Sequence, residues 1–134
     1  MDEMKLFRSQ RGQAVVEFAL VLPLLVLILF GVLEFGRIFH TYIVITNAAR
    51  EGARLGAVGK SDAEIRARIY EATMIPESDG RLQITKLEPE ESLRVPGIPF
   101  KVEVTYYLTP VTPLFSDFLP DPVVLKAATV MRVE

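Results

Sequence analysis

The stretch RSQRGQAVVEFALVLPLLVLILFGVL, residues 8–33, decides how this 134-residue chain is organised. Residues 18–33 carry no charge, and the twenty residues from Ala14 to Leu33 are interrupted only by Glu17. An α-helix rises about 1.5 Å per residue, so a segment of this length covers about the 30 Å of a bilayer's hydrocarbon core. The sequence therefore predicts one membrane-spanning helix over residues 14–33.

The charges that flank this span predict its orientation. Lys5, Arg8 and Arg11 precede it, and the first charges after it are Glu34 and Arg37. Basic residues next to a span favour the cytoplasmic side. We therefore expect a single-pass protein of the cytoplasmic (inner) membrane, with a cytoplasmic N-terminus and an extracytoplasmic C-terminal part.

Two features distinguish the start of the span from a plain anchor. Glu17 places a carboxylate inside an apolar segment, where charged groups usually have a partner. The alternative is that Glu17 lies at the interface in the first helical turn, where the helix dipole favours it. In addition, the polar leader ends at Gly12, and no Ala-x-Ala site follows the apolar core, as an ordinary cleaved signal peptide would require.

The pair Gly12 and Glu17 resembles the processing site of type IV prepilins. The resemblance implies that a prepilin peptidase cuts between Gly12 and Gln13, so residues 1–12 would be a cytoplasmic leader that is removed. Glu17 would then be the fifth residue of the mature chain. Its carboxylate would pair with the new α-amine of a neighbouring subunit.

A longer block resembles the TadE-like family. It consists of RGQAVVEFALVLPLLVLILFGVLEFGRIF, residues 11–39, followed by ITNAAREGARLGA, residues 45–57. In the Tad pilus system to which this family belongs, the major pilins typically carry Glu-Tyr where this chain has Glu17-Phe18. The resemblance implies a minor, pilin-like component of the tight-adherence (Tad/Flp) pilus machinery. Its partners would be prepilin peptidase, other pilin-like subunits and the pilus assembly platform.

The proline within the span leaves two interpretations open. Pro23 removes one backbone hydrogen bond and tends to kink a helix, although membrane helices tolerate this better than soluble ones. It either provides a bend or a site of local melting during assembly, or it is an ordinary transmembrane proline.

The helical pattern continues past the membrane and predicts one long helix over residues 13–57. Apolar residues first recur at steps of three and four: Phe35, Ile38, Phe39, Tyr42 and Ile45. A stripe of small residues follows: Ala49, Gly52, Ala53 and Gly56. Small residues allow another backbone to approach closely. The stripe is predicted to pack either against the protein's own sheet or against a neighbouring subunit. We expect Arg50, Glu51 and Arg54 to form the solvated side, and His40 to be structural or at the surface.

Residues 58–134 predict a small extracytoplasmic α+β domain. Ser61 and Glu64 form a capping box that opens a short helix with Ile65, Ile69 and Ala72 facing inward. Three strands are predicted at residues 82–87, 100–107 and 123–133. The fold class is therefore α+β: a long N-terminal transmembrane helix that continues into a pilin-like domain with a short helix and about three antiparallel strands.

The connection between the last two strands is unusually apolar. Residues 109–122 contain four prolines together with the apolar residues Leu114, Phe115, Phe118 and Leu119. We expect this segment to pack on the sheet, to touch the membrane surface or to meet a partner.

Composition and motifs argue against catalysis. The net charge is −2 and there is no basic patch of the kind that nucleic-acid binding requires. With no cysteine, disulfides and cysteine-ligated metals are excluded. We find no catalytic motif, no phosphate-binding glycine loop and no metal-ligand spacing. The sequence predicts a non-enzymatic protein with no catalytic residues, no cofactor and no metal.

The function that the resemblance to the TadE-like family implies is that of a minor pilin (pseudopilin) that acts in assembly, priming or adhesion of a Tad-type pilus. The alternative is an uncleaved, single-span extracytoplasmic scaffold or binding module of an envelope secretion complex, in which the spacing of Gly12 and Glu17 is incidental. A major shaft subunit is a third interpretation. It is disfavoured because the resemblance implies that major pilins of the Tad type are much shorter after the helix than this chain.

Overall fold

The computed structural model describes residues 3–113 and 115–134, with the side chains of residues 3–11 excluded. Its first element, α1, spans Glu3–Ala57 and continues without interruption through Pro23. The helix therefore begins before Gln13, where the sequence predicted its start. Residues 3–11 contain neither glycine nor proline, so backbone propensity extends the helix upstream. The predictions that rest on the side chains of Lys5, Arg8 and Arg11, and the apolar contact expected of Leu114, lie outside the described residues.

Among the described residues, α1 is the one helix long and apolar enough to cross a membrane. The core helix of a soluble protein passes the same test, but such a helix is mostly buried inside its protein. None of the most apolar window of α1 is buried, and the large side chains from Val15 to Leu33 are mainly exposed. The N-terminal half of α1 is therefore suited to be a single-pass membrane anchor.

The second helix, α2, spans Asp62–Thr73 and confirms the predicted capping box. The Ser61 hydroxyl accepts from the backbone N–H of Glu64, and the Glu64 carboxylate accepts from the backbone N–H of Ser61. This backbone hydrogen bond, with further bonds from Lys60 and the Ser61 hydroxyl, lowers the pKa of Glu64 below its usual range. Ile65 and Ile69 are buried as predicted, which leaves the charged side chains of α2 on its outer face.

Three strands form one antiparallel sheet in the order β1-β2-β3. They span Leu82–Glu88, Pro99–Leu108 and Val123–Arg132, and they confirm the three predicted strands. The pairing of β1 with β2 is irregular between Ile84 and Lys86. The structure thus has the predicted α+β architecture.

One core joins the sheet to both helices. The middle strand β2 supplies its inward-facing side chains, α1 supplies small and β-branched residues, and α2 supplies two isoleucines. The members from these elements are Phe100, Val102, Val104, Tyr106, Leu108, Ile45, Ala48, Ala49, Ala53, Ile65 and Ile69. The C-terminal half of α1 is therefore part of the domain's core, while its N-terminal half is exposed.

Two glycines of the small-residue stripe allow α1 to approach its neighbours closely. A Cβ on Gly52 would lie 2.7 Å from Cδ1 of Ile69, and a Cβ on Gly56 would lie 1.9 Å from Cε1 of Phe100. Both distances are shorter than van der Waals contact. Gly52 therefore allows Ile69 of α2 to pack directly against the backbone of α1, and Gly56 allows the ring of Phe100 in β2 to do the same.

A buried arginine fixes the long connection between β1 and β2. The Arg94 side chain is 2 % exposed and pairs with Asp62 at the start of α2. Its guanidinium also donates to the carbonyl of Pro89 at 3.1 Å and to that of Lys60 at 3.2 Å. The Cζ atom of the guanidinium lies 4.3 Å from the ring centroid of Phe100. At this distance the positive charge and the face of the ring attract each other in a cation–π interaction. The connection is therefore held against both α2 and the core.

We predict that Gly56→Ala destabilises the domain, because the added methyl group would overlap the buried ring of Phe100. Overpacking of this kind costs about 1–3 kcal/mol. The matched control is Gly36→Ala, since a Cβ on Gly36 would meet nothing within 4 Å. Because alanine is favoured over glycine in a helix interior, the free energy of unfolding of this control is expected to rise by about 0.5–1 kcal/mol. Thermal unfolding of the detergent-solubilised full chain, followed by near-UV circular dichroism, measures both. Equal melting temperatures for the two variants would contradict the packing described at Gly56.

Candidate functional site on the N-terminal helix

Gly12 lies on an open part of α1. A Cβ at this position would meet no described atom within 4 Å, and Gly12 and Gln13 are both exposed. A glycine inside a helix costs about 0.5–1 kcal/mol relative to alanine. At Gly52 and Gly56 a close neighbour justifies that cost, whereas at Gly12 no described contact does. No described side chain therefore covers the peptide bond between Gly12 and Gln13.

Glu17 is exposed on the same stretch of helix, one turn after Gln13. The side-chain amide of Gln13 donates from Nε2 to Oε1 of Glu17 at 3.0 Å. This spacing of four residues is the one at which side chains on a helix meet. The structure thus brings the predicted cleavage position and the predicted fifth-position carboxylate together within two turns of α1.

The small-residue stripe is remote from these two features. Gly52 follows Glu17 by 35 residues, which corresponds to about 50 Å along a helix. Ala49, Gly52, Ala53 and Gly56 are all buried in the domain core. The site residues named from the sequence therefore form two separate groups, one on the exposed anchor and one inside the folded domain.

A third group was missed by the sequence analysis. Glu34 follows the charge-free run directly and is only 2 % exposed. Thr112 donates its hydroxyl to Oε2 of Glu34 at 2.7 Å, and Arg37 donates to Oε1 at 3.1 Å. The spacing of Glu34 and Arg37 is visible in the sequence. Thr112, which lies 78 residues away, carried no signal that would have connected it to them.

Glu34, Arg37 and Thr112, which we call the Glu34 cluster, stabilise a buried carboxylate at the end of the span. A buried carboxylate is costly unless it is paired and hydrogen-bonded. Arg37 supplies a positive charge and Thr112 supplies a neutral donor, so each oxygen of Glu34 receives a hydrogen bond. The cluster consequently ties the connection between β2 and β3 to α1 at the point where the apolar run ends.

A small cleft is also lined by described residues. It has a volume of about 130 Å³, and its walls are His40, Thr41, Val44, Thr73, Ile75 and Tyr106. Pockets for small-molecule ligands usually measure about 300–1,000 Å³, so this cleft is too small for one. Within the part of the chain that the structure describes, no three histidine or acidic side chains lie close enough to hold a metal ion.

We predict that Thr112→Val destabilises the attachment of this connection to α1. The substitution keeps the side-chain shape but leaves one oxygen of a buried carboxylate without its donor, which costs about 1–3 kcal/mol. Ser116→Ala is the control, because that exposed hydroxyl bonds the nearby carbonyl of Pro113; a change within about 0.5 kcal/mol is expected. Thermal unfolding of the full chain in detergent compares the two. If Ser116→Ala lowered the melting temperature as much as Thr112→Val, the hydrogen bond from Thr112 to Glu34 would not contribute more to stability than an exposed one.

Comparison of the sequence with known proteins identifies a family that matches part of the chain. No curated protein and no solved structure matches the chain. A family model described as TadE-like protein matches residues 12–54. The matched segment begins at Gly12 and includes Glu17, Glu34 and all of the small-residue stripe except Gly56, whereas the sheet lies outside it. The match confirms the resemblance drawn from the sequence: over residues 12–54, the chain is similar to the TadE-like proteins.

Proposed function

We propose that the protein is a minor pilin of a Tad-type pilus, processed after Gly12 and held in the cytoplasmic membrane by α1. It acts in pilus assembly, priming or adhesion and is not an enzyme. The observation that supports this most is the position of the family match on the structure. The matched residues are the exposed apolar helix, with Gly12 and Glu17 at one end and its other end built into a folded domain.

Processing requires access to the bond between Gly12 and Gln13. Gly12 is free of neighbours among the described atoms, and glycine is the residue that leaves a helix most readily apart from proline. A prepilin peptidase is expected to unwind this turn locally and to cut there. The product retains the span in the membrane and carries a new α-amine on Gln13.

The role proposed for Glu17 follows from the change of surroundings during assembly. In the single chain its carboxylate accepts from the Gln13 side chain. Extraction from the membrane would place Glu17 among the apolar helices of other subunits, where an unpaired charge is costly. The α-amine of a neighbouring subunit's processed helix is the counter-ion that such a carboxylate requires.

The orientation rests on Lys5, Arg8 and Arg11, which favour a cytoplasmic leader. The domain formed by residues 58–134 then lies outside the membrane. Because this domain is joined to α1 through a shared core, it would be carried with the helix into the pilus. Its proposed partners are prepilin peptidase, other pilin-like subunits and the assembly platform.

One structural observation favours a second candidate function. The bond after Gly12 lies inside the continuous helix Glu3–Ala57, whereas proteases generally act on locally extended chain. If this turn does not open, the protein remains a permanently anchored extracytoplasmic scaffold or binding module of an envelope secretion complex.

We expect the intact mass of the membrane-extracted protein to decide between the two candidates. When the full chain is produced with prepilin peptidase, the mass should correspond to a chain beginning at Gln13; without the peptidase it should include residues 1–12. Gly12→Leu should retain the leader in both strains, because its side chain obstructs the scissile bond. Gly36→Leu is the control and should be processed normally. A full-length mass in every strain would support the permanent anchor.

A second experiment separates assembly from insertion. Glu17→Ala and the near-isosteric Glu17→Gln should both insert into the membrane as well as the unaltered chain, because each removes a charge from the span. Incorporation into sheared pili should fall about tenfold or more for both, since the neighbour's amine loses its buried partner. Quantitative immunoblotting of membrane and pilus fractions measures the two steps. Normal incorporation of Glu17→Gln would exclude a pairing role for the charge.

A further inference from the structure

The apolar loop, residues 109–122, leaves the sheet and reaches down to α1. After β2 ends at Leu108, Thr112 bonds Glu34. Further along, the ring of Phe115 lies against Gly31, with its Cζ atom 3.3 Å from the position that a Cβ would occupy. The loop therefore contacts the helix on both sides of the point where the charge-free run ends.

The direction of the loop is toward the membrane. From the contact at Glu34 to the contact at Gly31, it moves three residues toward the start of α1, which is about 4.5 Å along the helix axis. Gly31 lies inside the span at residues 14–33. The loop thus runs beside the last turn of the membrane segment.

A span that excluded this loop from the bilayer would be shorter than the usual transmembrane helix. If the hydrocarbon ended before Gly31, residues 14–30 would have to cross it, and they cover only about 25 Å. That is less than the hydrocarbon core of about 30 Å. An apolar layer of the usual thickness therefore extends to about Leu33, which places Phe115 at its edge.

Apolar side chains of the loop are exposed, as are those at the end of the neighbouring span. Phe118 is 82 % exposed and Val111 is 68 % exposed, and the neighbouring helix residues Val32 and Leu33 are also exposed. The backbone N–H groups of Phe118 and Leu119 both bond the carbonyl of Phe115, at 3.1 and 2.8 Å. This turn presents Phe118 outward, three residues after the ring of Phe115 that contacts α1 at Gly31.

The charges of the loop limit how deeply it can enter. Residues 109–122 carry two acidic side chains, Asp117 and Asp121, and no basic one. Both are exposed, so they can remain at the level of the headgroups while Phe118 reaches the acyl boundary. Without a basic residue, the loop gains nothing from anionic lipids, and its contact rests on apolar side chains.

We propose that the apolar loop is a second membrane-contacting element, which lies in the bilayer interface beside α1 with Phe118 as its lipid-facing side chain. The contact closes the gap between the folded domain and the membrane and holds the domain at a fixed height. Thr112 and Glu34 set that height. The proposal requires only that α1 spans the bilayer, and it holds whether or not the chain is processed after Gly12.

The absence of cysteine from the chain allows a direct test with single-cysteine variants. The full-length Phe118→Cys variant, labelled with an environment-sensitive fluorophore, is reconstituted into phosphatidylcholine vesicles. Lipids that carry a nitroxide at the headgroup or at a shallow acyl position should quench the label, and deep nitroxides should quench it less. The same quenching is expected when a fraction of the lipid is anionic.

Two matched positions calibrate this measurement. Val58 is an exposed apolar residue just past the far end of α1. A label on Val58→Cys should not be quenched by any of the nitroxide lipids. Leu24→Cys lies within the span and should be quenched most by deep nitroxides. A failure at Leu24→Cys would refute the span and with it this proposal.

Two further outcomes would overturn the proposal. A Phe118→Cys label that lipid nitroxides do not quench and that a water-soluble quencher reaches would show that the loop is solvated. Alternatively, protection that disappears when the protein is diluted into excess lipid would identify a second copy of the chain as the occupant. Because Phe118 is exposed, its replacement should leave the fold intact, as unchanged near-UV circular dichroism would verify.

Discussion

The close approach of α1 to the sheet at Gly56 is the contact on which the domain depends. Phe100 occupies the space that a Cβ at position 56 would need, and its ring is fully buried. The same ring supports the guanidinium of Arg94, which holds the start of α2. One glycine thus sets the distance between helix and sheet, and the other elements are placed by the ring that fits there.

A single helix consequently serves two environments. Before Glu34 its apolar side chains are exposed, as a membrane anchor requires, and after Ile45 its small residues are buried in a folded core. The change occurs where Glu34 is neutralised by Arg37 and bonded by Thr112. This cluster allows a carboxylate to lie against the domain at the edge of the apolar layer, where an isolated charge would be costly.

The sequence predicted the elements of the fold because each has a local signal. The charge-free run, the Ser61–Glu64 capping box and the alternation along β2 all follow from periodicity or from neighbours within four residues. The upstream start of α1 was not predicted, because Gly12 was interpreted as a boundary although the residues before it favour helix. The bond between Thr112 and Glu34 and the burial of Arg94 were missed because they join residues far apart in sequence, and composition carries no record of such pairs.

The shared core couples the N-terminal half of α1 to the folded domain. The domain has no cysteine to stabilise it, and Ile45, Ala49 and Ala53 supply part of its core from the helix itself. No flexible linker separates the anchor from the domain, since α1 continues unbroken from one to the other. A force applied to the span is therefore transmitted to the domain through helix backbone and packed side chains. Displacement of the helix along the membrane normal must shift the whole domain, together with the loop that is tied to Glu34.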